Sequence, residues 1–370
     1  MLQPLTDKDC ARVLKWVNDE PKKREWLIED YIPANLVGLL QADGGVGKSN
    51  LSNLISYCIS TGKNIGPFVT GIAKKVLQVN AEDPETDMAL RINSLAQIYG
   101  PSTTDFALIE KNWRVYLGRG TIEPLMTLEK NRPKPTPHLE WLSLSIKNIK
   151  PELVILDTKS KLFGLDENSN PHTTAWIREL EKISEKYKCG VLILHHTRKM
   201  PSNTPDNEML AVGNGRGASS LSADARYVIS AAEISSRESN KYGLEPKSDY
   251  FKIQSSKNNY TSRKPAQFFH KMDEGVPCHF IPTSQKGIKI SDMIIPWLKE
   301  MDLAGIKITQ RDFLRAGTPE SSSFKEMVSK IYGNSNRGIL SDMKIALNLL
   351  VNSGDIVVEK NGRGNILNLA

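Results

Sequence analysis

Residues 36–55 read LVGLLQADGGVGKSNLSNLI: an apolar run, a glycine-rich turn and the start of a helix-like stretch. Residues 42–49 match the phosphate-binding loop pattern, with Ala42 where that pattern has its first glycine. The glycines let successive backbone N–H groups converge on phosphates, and a helix from Lys48 adds its positive N-terminal end. Lys48 is then predicted to contact the β- and γ-phosphates, and the Ser49 hydroxyl to ligate Mg²⁺. The residues predicted to bind ATP and Mg²⁺ are Ala42, Asp43, Gly44, Gly45, Val46, Gly47, Lys48, Ser49 and Asn50.

Apolar runs and helix-like stretches alternate along the chain from this loop to residue 196. Such alternation predicts βαβ units and an α/β fold with a parallel sheet, in which ligands bind at the carboxyl ends of the strands. Residues 101–150 are predicted to be less regular, with NRPKPTP at 131–137 as a surface loop. The predicted strands are 36–42, 74–81, 153–157, 191–196, 225–230, 250–256 and 266–271.

Acidic residues follow two of these predicted strands. Asp157 ends LVILD, which is the Walker B arrangement for holding the Mg²⁺ shell opposite Ser49; the alternative is a strand-end carboxylate that caps a turn. Glu82 is the candidate base, or water-orienting group, for ATP hydrolysis. Asp83 is predicted to be the N-cap of the next helix, with Pro84 at its first position. The alternative for Glu82 and Asp83 is a pair of solvated carboxylates.

Two histidines, His195 and His196, end the strand VLILHH. Neighbouring residues on a strand face opposite ways, so only one should face the γ-phosphate while the other packs or hydrogen-bonds. The polar stretch that follows is predicted to be a loop whose Arg198, Lys199 and Arg216 grip a nucleic-acid backbone when ATP is bound. The alternative is an ordinary solvated loop.

Three cations are candidates for completing an ATP site from an adjacent subunit: Arg216, Arg226 and Lys257. The residues alone do not choose among them, and a surface ion pair is the alternative for each.

The C-terminal segment has a different pattern. Residues 291–302, 309–316 and 337–355 are helix-like, and IVVEKNGRGNILNL at 356–369 predicts a hairpin. Three helices and a hairpin predict a winged-helix domain. Its candidate DNA-binding residues are Arg337, Lys344, Lys360 and Arg363. The alternative is a winged helix that holds a protein partner or a neighbouring subunit.

The predicted organisation is therefore a RecA-like P-loop domain over residues 1–285 and a winged-helix domain over residues 286–370. Residues 1–30 are predicted to be a short helical lead-in, and residues 282–287 a linker.

The bulk composition limits the classes of protein. The net charge of +7 is compatible with a polyanionic partner such as nucleic acid. The four cysteines include no C-x-x-C pair, which argues against a disulfide framework and a zinc site and favours a reducing, cytoplasmic compartment. The first residues lack the apolar region of a signal peptide, and no apolar run approaches the roughly 18 residues that span a membrane.

Taken together, these motifs resemble the RepA-like family of hexameric replicative DNA helicases of plasmids, phages and mobile elements. The matching segments are GGVGKSNL, VLQVNAEDPETDMALRINSL, LVILDTKSKLFGLDENSN, GVLILHHTRK, RGASSLSADARYV and SSKNNY, over roughly residues 35–265. The resemblance implies a ring with ATP sites between subunits and 5′-to-3′ movement on single-stranded DNA. It implies that Glu82 is catalytic, that His196 senses the γ-phosphate, and that Lys199 is the final lysine of HH-x-x-K. It also implies that Arg226 is an arginine finger and Lys257 a second contact in trans. The winged helix departs from the minimal helicase of this family.

We therefore expect a homo-hexameric, DNA-dependent ATPase that serves as a replicative helicase. It would bind single-stranded DNA, and the winged helix would bind duplex DNA or a replication partner. The alternative is an ATP-switched DNA-binding, regulatory or recombination ATPase that does not unwind DNA. A metabolic kinase is disfavoured because no second substrate site is visible.

Overall fold

The computed structural model describes residues 6–7, 13–20, 23–198, 204–206, 208–215, 217, 219–244, 249–282, 285–310, 313, 339–352, 355–361 and 364–369. The chain divides into two compact units. The first comprises Met1–Arg198, Val212–Ser230 and Ser255–Lys264, and the second comprises Lys199–Ala211, Ala231–Gln254 and Pro265–Ala370. None of the helices formed by the described residues is long and apolar enough to cross a lipid bilayer.

The first unit contains the sheet and most of the helices. Its helices are α1 (Val13–Asn18), α2 (Lys48–Thr61), α3 (Glu85–Tyr99), α4 (Thr103–Asn112), α5 (Pro137–Ile149), α6 (Lys159–Leu162), α7 (Asn170–Tyr187) and α8 (Ser220–Asp224). Its strands are β1 (Trp26–Ile28), β2 (Ile32–Pro33), β3 (Val37–Ala42), β4 (Val76–Asn80), β5 (Trp113–Leu117), β6 (Met126–Glu129), β7 (Arg132–Pro135), β8 (Leu153–Asp157) and β9 (Gly190–His196). Strands β10 (Tyr227–Glu233) and β11 (Tyr250–Asn258) contribute residues to both units.

The main sheet of the first unit has the strand order β11-β10-β3-β9-β8-β4-β5. Strands β3, β9, β8, β4 and β5 pair in parallel. Ala42 pairs with His196, and Asn80 with Asp157, so the last residues of four strands lie along one edge of the sheet. The predicted parallel α/β core is confirmed, and this edge carries the motifs picked out from the sequence.

Helices cover both faces of this sheet. Helix α7 packs Trp176, Ile177, Leu180 and Ile183 at helical spacing into a buried cluster with the strand residues of one face. Helix α2 contacts β3, β4 and β5 and is almost wholly buried. Buried polar side chains join α2 to β4, because the Gln78 amide donates to Ser52 Oγ at 3.2 Å and to Asn53 Oδ1 at 3.0 Å. The loop before α2 is therefore held between two rigid elements.

Three predictions about local structure are wrong, and a fourth is right in part. Among the described residues of the predicted lead-in, Val13–Asn18 form a helix, whereas residues 26–33 contain the antiparallel pair β1–β2. The predicted loop at 131–137 contains β7, which pairs with β6 from Met126↔Pro135 to Glu129↔Arg132. Prolines are tolerated there because a two-stranded ribbon has only edge strands. The stretch predicted to be irregular contains α4, β5, β6, β7 and α5. Residues 285–287 of the predicted linker belong to a helix.

The second unit contains antiparallel strands and the C-terminal segment. Its elements are α9 (Ser236–Tyr242), β12 (Gln267–Lys271), β13 (Pro277–Phe280), α10 (Gln285–Leu303), α11 (Ile339–Asn352), β14 (Ile356–Asn361) and β15 (Gly364–Leu369). The first part of β11 pairs antiparallel with β12, and β12 with β13. The predicted C-terminal hairpin is confirmed as β14–β15.

The C-terminal segment has its own apolar core. Trp297 of α10, Phe313, Leu347 of α11 and Leu367 of β15 are buried in one cluster. An isolated bridge joins Thr309 to Ile366. Most of the second predicted helix, at 309–316, lies outside the described residues. The described parts are therefore two helices, a bridge and a hairpin around one core.

Candidate nucleotide site

The phosphate-binding loop occupies the turn between β3 and α2. Gly45 has φ 81° and Gly47 has φ 104°, in the left-handed region that favours glycine. A Cβ at Gly44 or Gly45 would meet no atom within 4 Å, so the loop has open space on its outer side. Gly47 is the N-cap residue of α2 and has no side chain to cap the helix. No side chain therefore caps the first turn of α2, which suits this helix end to an anion.

Lys48 lies inside the loop and is only 7% exposed. Its ammonium donates to the carbonyl oxygens of Ala42 at 2.9 Å and Asp43 at 2.8 Å. Burial lowers the pKa of Lys48 from its ordinary value of 10.5 to about 8, and the carboxylates of Asp157, Asp43 and Glu82 oppose this effect. The loop thus holds a cation that has given up most of its water and has two carbonyl partners.

His196 stands next to this cation, with Nδ1 3.2 Å from Lys48 Nζ. An ammonium group has donors only, so Nδ1 accepts and the proton of a neutral imidazole lies on Nε2. His195, 3% exposed, lies on the other face of β9, where a Cβ at Gly215 would be 3.5 Å from its Nε2. The prediction that the two histidines face opposite ways is confirmed.

Ser49 and Asp157 form the pair expected for the metal. The Ser49 hydroxyl hydrogen-bonds to the Asp157 carboxylate. Asp157 is 2% exposed, and its Oδ2 has no hydrogen-bond partner among the described residues. Burial raises the pKa of Asp157 to about 7; the Ser49 bond and Lys48 lower it, while Asp83 and Glu82 raise it. A hydroxyl beside a buried carboxylate oxygen without a donor is an oxygen set that fits Mg²⁺.

Asn80, which the sequence analysis did not single out, organises the acidic turn after β4. Its Oδ1 accepts from the backbone N–H groups of Glu82 at 2.9 Å and Asp83 at 2.8 Å. Its Nδ2 donates to Asp83 Oδ2 at 2.9 Å, and Arg91 pairs with the same oxygen at 2.7 Å. The Glu82 side chain is exposed and makes no hydrogen bond to the described residues, yet its charge acts on both Lys48 and Asp157.

The predicted N-cap role of Asp83 is wrong. Helix α3 begins at Glu85 with Pro84 at the N-cap and no side-chain cap. The Asp83 carboxylate is instead held by Asn80 and Arg91. The Asp83 carboxylate still has a structural role, because it stabilises the turn after β4. The Glu82 side chain is exposed, and its catalytic role stays a prediction. An asparagine at a strand end before two acidic residues is the signal that sequence reasoning missed.

Arg226 and Lys257 lie at the other end of the strands. The backbone N–H of Arg226 donates to the carbonyl of Val37, the first residue of β3, at 2.9 Å. Six residues of strand, roughly 17–20 Å, separate that end from the phosphate-binding loop. The Arg226 guanidinium is 51% exposed and lies 3.6 Å from Glu181. The two cations therefore do not reach the nucleotide site of their own chain.

Lys257 is held close to Arg226. Its Nζ donates to the carbonyls of Ser222 at 3.0 Å and Ala223 at 2.6 Å, in the last turn of α8. Desolvation and the charge of Arg226 lower the pKa of Lys257, and Asp224 raises it. The two cations thus lie together at the amino end of β3, beside the carboxylates of Glu181 and Asp224.

The predicted DNA-binding residues are only partly described. Arg198 is exposed; its backbone N–H donates to the Asn214 carbonyl at 3.0 Å, and its guanidinium lies 3.5 Å from the Gly217 carbonyl. Lys344 is exposed on α11. Lys199, Arg216, Arg337, Arg363 and the side chain of Lys360 lie outside the described residues.

A second cavity in the first unit is separate from the nucleotide site. It measures about 810 Å³ and lies against the β6–β7 hairpin, α5 and α7, lined by residues such as Leu128, Pro135 and Ile183. Its lining includes no residue of the phosphate-binding loop. The loop geometry, rather than cavity size, therefore identifies the nucleotide site.

A glycine loop between a parallel strand and a helix, a buried lysine and a hydroxyl–carboxylate pair define the class of P-loop ATPases. A family model described as an AAA domain matches residues 7–202. This match spans more than half of the chain, and the chain belongs to the AAA domain family.

Proposed function

We propose that this chain is a ring-forming, DNA-dependent ATPase that acts as a replicative DNA helicase of a plasmid, phage or mobile element. The observation that carries the proposal is the position of Arg226 and Lys257. Both cations lie at the amino end of β3, one strand length from their own phosphate-binding loop. A site that uses them must receive them from a second copy of the chain, which favours assembly into a ring, and the family resemblance leads us to propose a homo-hexamer.

The chemistry at the loop follows from the side chains beside it. Lys48 binds the β- and γ-phosphates, and Ser49 and Asp157 hold Mg²⁺. When bound, the metal ion neutralises charge on the phosphate oxygens. Glu82 orients the attacking water and accepts its proton. His196, with its Nε2 proton, donates to the γ-phosphate and thereby senses it, while Arg226 and Lys257 of a neighbouring copy stabilise charge on the transferring group.

Single-stranded DNA is the proposed partner of the loop after His196, through Arg198, Lys199 and Arg216. The net charge of +7 supports a polyanionic partner. For residues 286–370 we propose a winged helix that contacts duplex DNA or a replication partner through Arg337, Lys344, Lys360 and Arg363. The helix, bridge and hairpin around one core support this assignment. The proposed compartment is the cytoplasm.

Strand separation tests the motor directly. A labelled forked DNA is incubated with the protein, and ATP turnover is followed in the same tube. We expect unwinding that requires ATP and disappears in Glu82→Gln, because the side chain keeps its size but can no longer accept a proton. Unwinding that persists in Glu82→Gln would remove Glu82 from the chemistry.

Subunit mixing tests the trans assignment. Lys48→Ala lacks a working loop and Arg226→Ala lacks the proposed finger, so each protein alone should be inactive. Mixed rings contain sites with an intact loop and an intact Arg226 from different copies, and turnover should partly return. Circular dichroism of each variant controls for folding. Turnover by Arg226→Ala alone at the wild-type rate would refute the role of this residue.

A second candidate function is an ATP-switched DNA-binding protein that does not unwind. The C-terminal helix-and-hairpin segment favours it, because such a segment can dock the chain at one DNA site. In the forked-DNA assay, this function predicts DNA-stimulated turnover without strand separation.

A further inference from the structure

A polar cavity of about 320 Å³ lies in the first unit, where β3 and β9 end, on the face of these strands opposite Lys48. Gln41 and His195 lie at its base, 0% and 3% exposed. Its other lining residues are Leu39, Asn168, Asn170, Arg198, Gly213, Gly215, Gly217, Ser219, Leu221 and Ser222. The volume is at the lower end of the range for small-ligand sites.

The base of the cavity is continuous with the nucleotide site. Gln41 pairs with His195 across β3 and β9, and the next pair along the strands is Ala42 with His196. Ala42 accepts from Lys48 through its carbonyl, and His196 Nδ1 lies 3.2 Å from the same ammonium. Successive strand residues face opposite ways, so one pair serves the cavity and the next pair serves the loop.

Gln41 also connects the base of the cavity to residues 212–215. Its side-chain amide donates to the Val212 carbonyl at 3.3 Å and to Ser230 Oγ at 2.9 Å. A Cβ at Gly215 would lie 3.2 Å from Gln41 Oε1, so the glycine lets the backbone come close to the base of the cavity. A ligand that moves residues 212–215 therefore acts on the strand that carries the phosphate-binding loop.

The lining combines the groups that one nucleotide unit needs. Arg198 is an exposed cation at the carboxyl end of β9, suited to a phosphate. Leu39 and Leu221 are buried, 0% and 3% exposed, and form the apolar wall behind the polar lining. The Asn168 side chain makes no hydrogen bond to the described residues and can read base or sugar edges.

We propose that this cavity takes one nucleotide unit of a bound single strand and passes its occupancy to the phosphate-binding loop through Gln41 and His195. This inference rests on the proposed DNA-dependent ATPase, and it assigns the stimulation by DNA to a defined site. Positive charge on the residues after His196 would by itself bind DNA, but it would not connect the bound strand to β3.

The test compares a cavity-filling variant with a matched control. Gly213 lines the cavity and a Cβ there would meet nothing within 4 Å, so Gly213→Leu should narrow the cavity without displacing the protein. Gly71 has the same open surroundings and does not line the cavity, so Gly71→Leu is the control. Asn168→Ala is a second, smaller change. The readouts are the affinity for a fluorescent oligothymidylate and ATP turnover with DNA divided by turnover without it.

We expect Gly213→Leu to weaken oligothymidylate binding at least about tenfold, which corresponds to about 1.4 kcal/mol, and to lower the turnover ratio. Asn168→Ala should change both readouts in the same direction, and Gly71→Leu neither. Wild-type values in both cavity variants would overturn the cavity while leaving the proposed function standing. A wild-type protein that neither binds the oligonucleotide nor responds to it would overturn both. Equally effective competition by free thymidine monophosphate would show a mononucleotide site and overturn the strand assignment.

Discussion

Raising the pH should lower kcat/KM for ATP and raise the free energy of unfolding, because the buried Lys48 ammonium affects both quantities. Burial lowers the pKa of Lys48 to about 8. Phosphate binding needs the charged form, which is about nine-tenths of the free protein at pH 7 and about one-tenth at pH 9. Since kcat/KM reports the free enzyme, and since Asp157 with its pKa of about 7 becomes fully ionised over the same range, the value for ATP should fall about fivefold between these pH values.

The stability effect has the opposite sign. The pKa of Lys48 is about 8 in the folded chain and near its ordinary value of 10.5 in the unfolded chain. Between these values the unfolded chain holds a proton that the folded chain has lost, so the free energy of unfolding rises with pH. A difference of about 2.5 in pKa corresponds to about 3 kcal/mol, at about 1.4 kcal/mol per pH unit. Below pH 8 this contribution does not change.

Lys48→Arg is the matched control, because arginine keeps its charge over the whole range. Initial rates at subsaturating ATP and fixed free Mg²⁺ give kcat/KM, and urea unfolding at each pH gives stability. Subtracting the curve of Lys48→Arg removes the other titrating groups. A wild-type kcat/KM that stays flat to pH 9.5, together with a constant stability difference from pH 8 to 10.5, would refute the reasoning.

Two further changes test buried packing, one in each unit. In Gly38→Ala, the new Cβ would lie 2.3 Å from the buried ring of Tyr227, so urea unfolding should show a loss of about 2 kcal/mol or more in the free energy of unfolding. Gly71→Ala, where the new Cβ lies in open space, should change this free energy by no more than about 0.5 kcal/mol. Equal losses in the two variants would contradict the clash with Tyr227. In the second unit, Lys252 is 2% exposed and pairs with Glu238 at 2.7 Å. Lys252→Ala should cost about 3–5 kcal/mol because it leaves a buried carboxylate without its cation; adding Glu238→Gln should recover part of this loss in the same assay, and a double variant no more stable than the single one would argue against the pairing.

The nucleotide site could be predicted from the sequence because its residues follow directly after buried strands. A continuous apolar run ends at Ala42, Asp157 and His196 in turn, and parallel pairing aligns these ends. The alternation along β9 also predicted that His195 and His196 would separate. The local sequence pattern is enough to place each of these residues at a strand end. Pairing between the strands then brings the strand ends together.

Other features depend on partners that the pattern of a single segment does not reveal. The strand β7 in NRPKPTP forms by pairing with β6, and the Thr136 backbone N–H donates to the Leu125 carbonyl at 3.0 Å. Asp83 looked like an N-cap because Pro84 follows it, but Arg91 competes for the same carboxylate. Gln41 gave no signal, since its partners Val212 and Ser230 are about 170 to 190 residues away.

The adjacency of His195 and His196 has a consequence for how this strand can change length. Inserting or deleting one residue between Gly190 and His195 would exchange the faces of the last two side chains, and an insertion would put His195 in the place of His196 beside Lys48. A change of two residues would restore the alternation, at the cost of extending or shortening the strand by one repeat. Single-residue insertions in β9 should therefore abolish turnover in a library, and paired insertions should be the ones from which active variants are recovered.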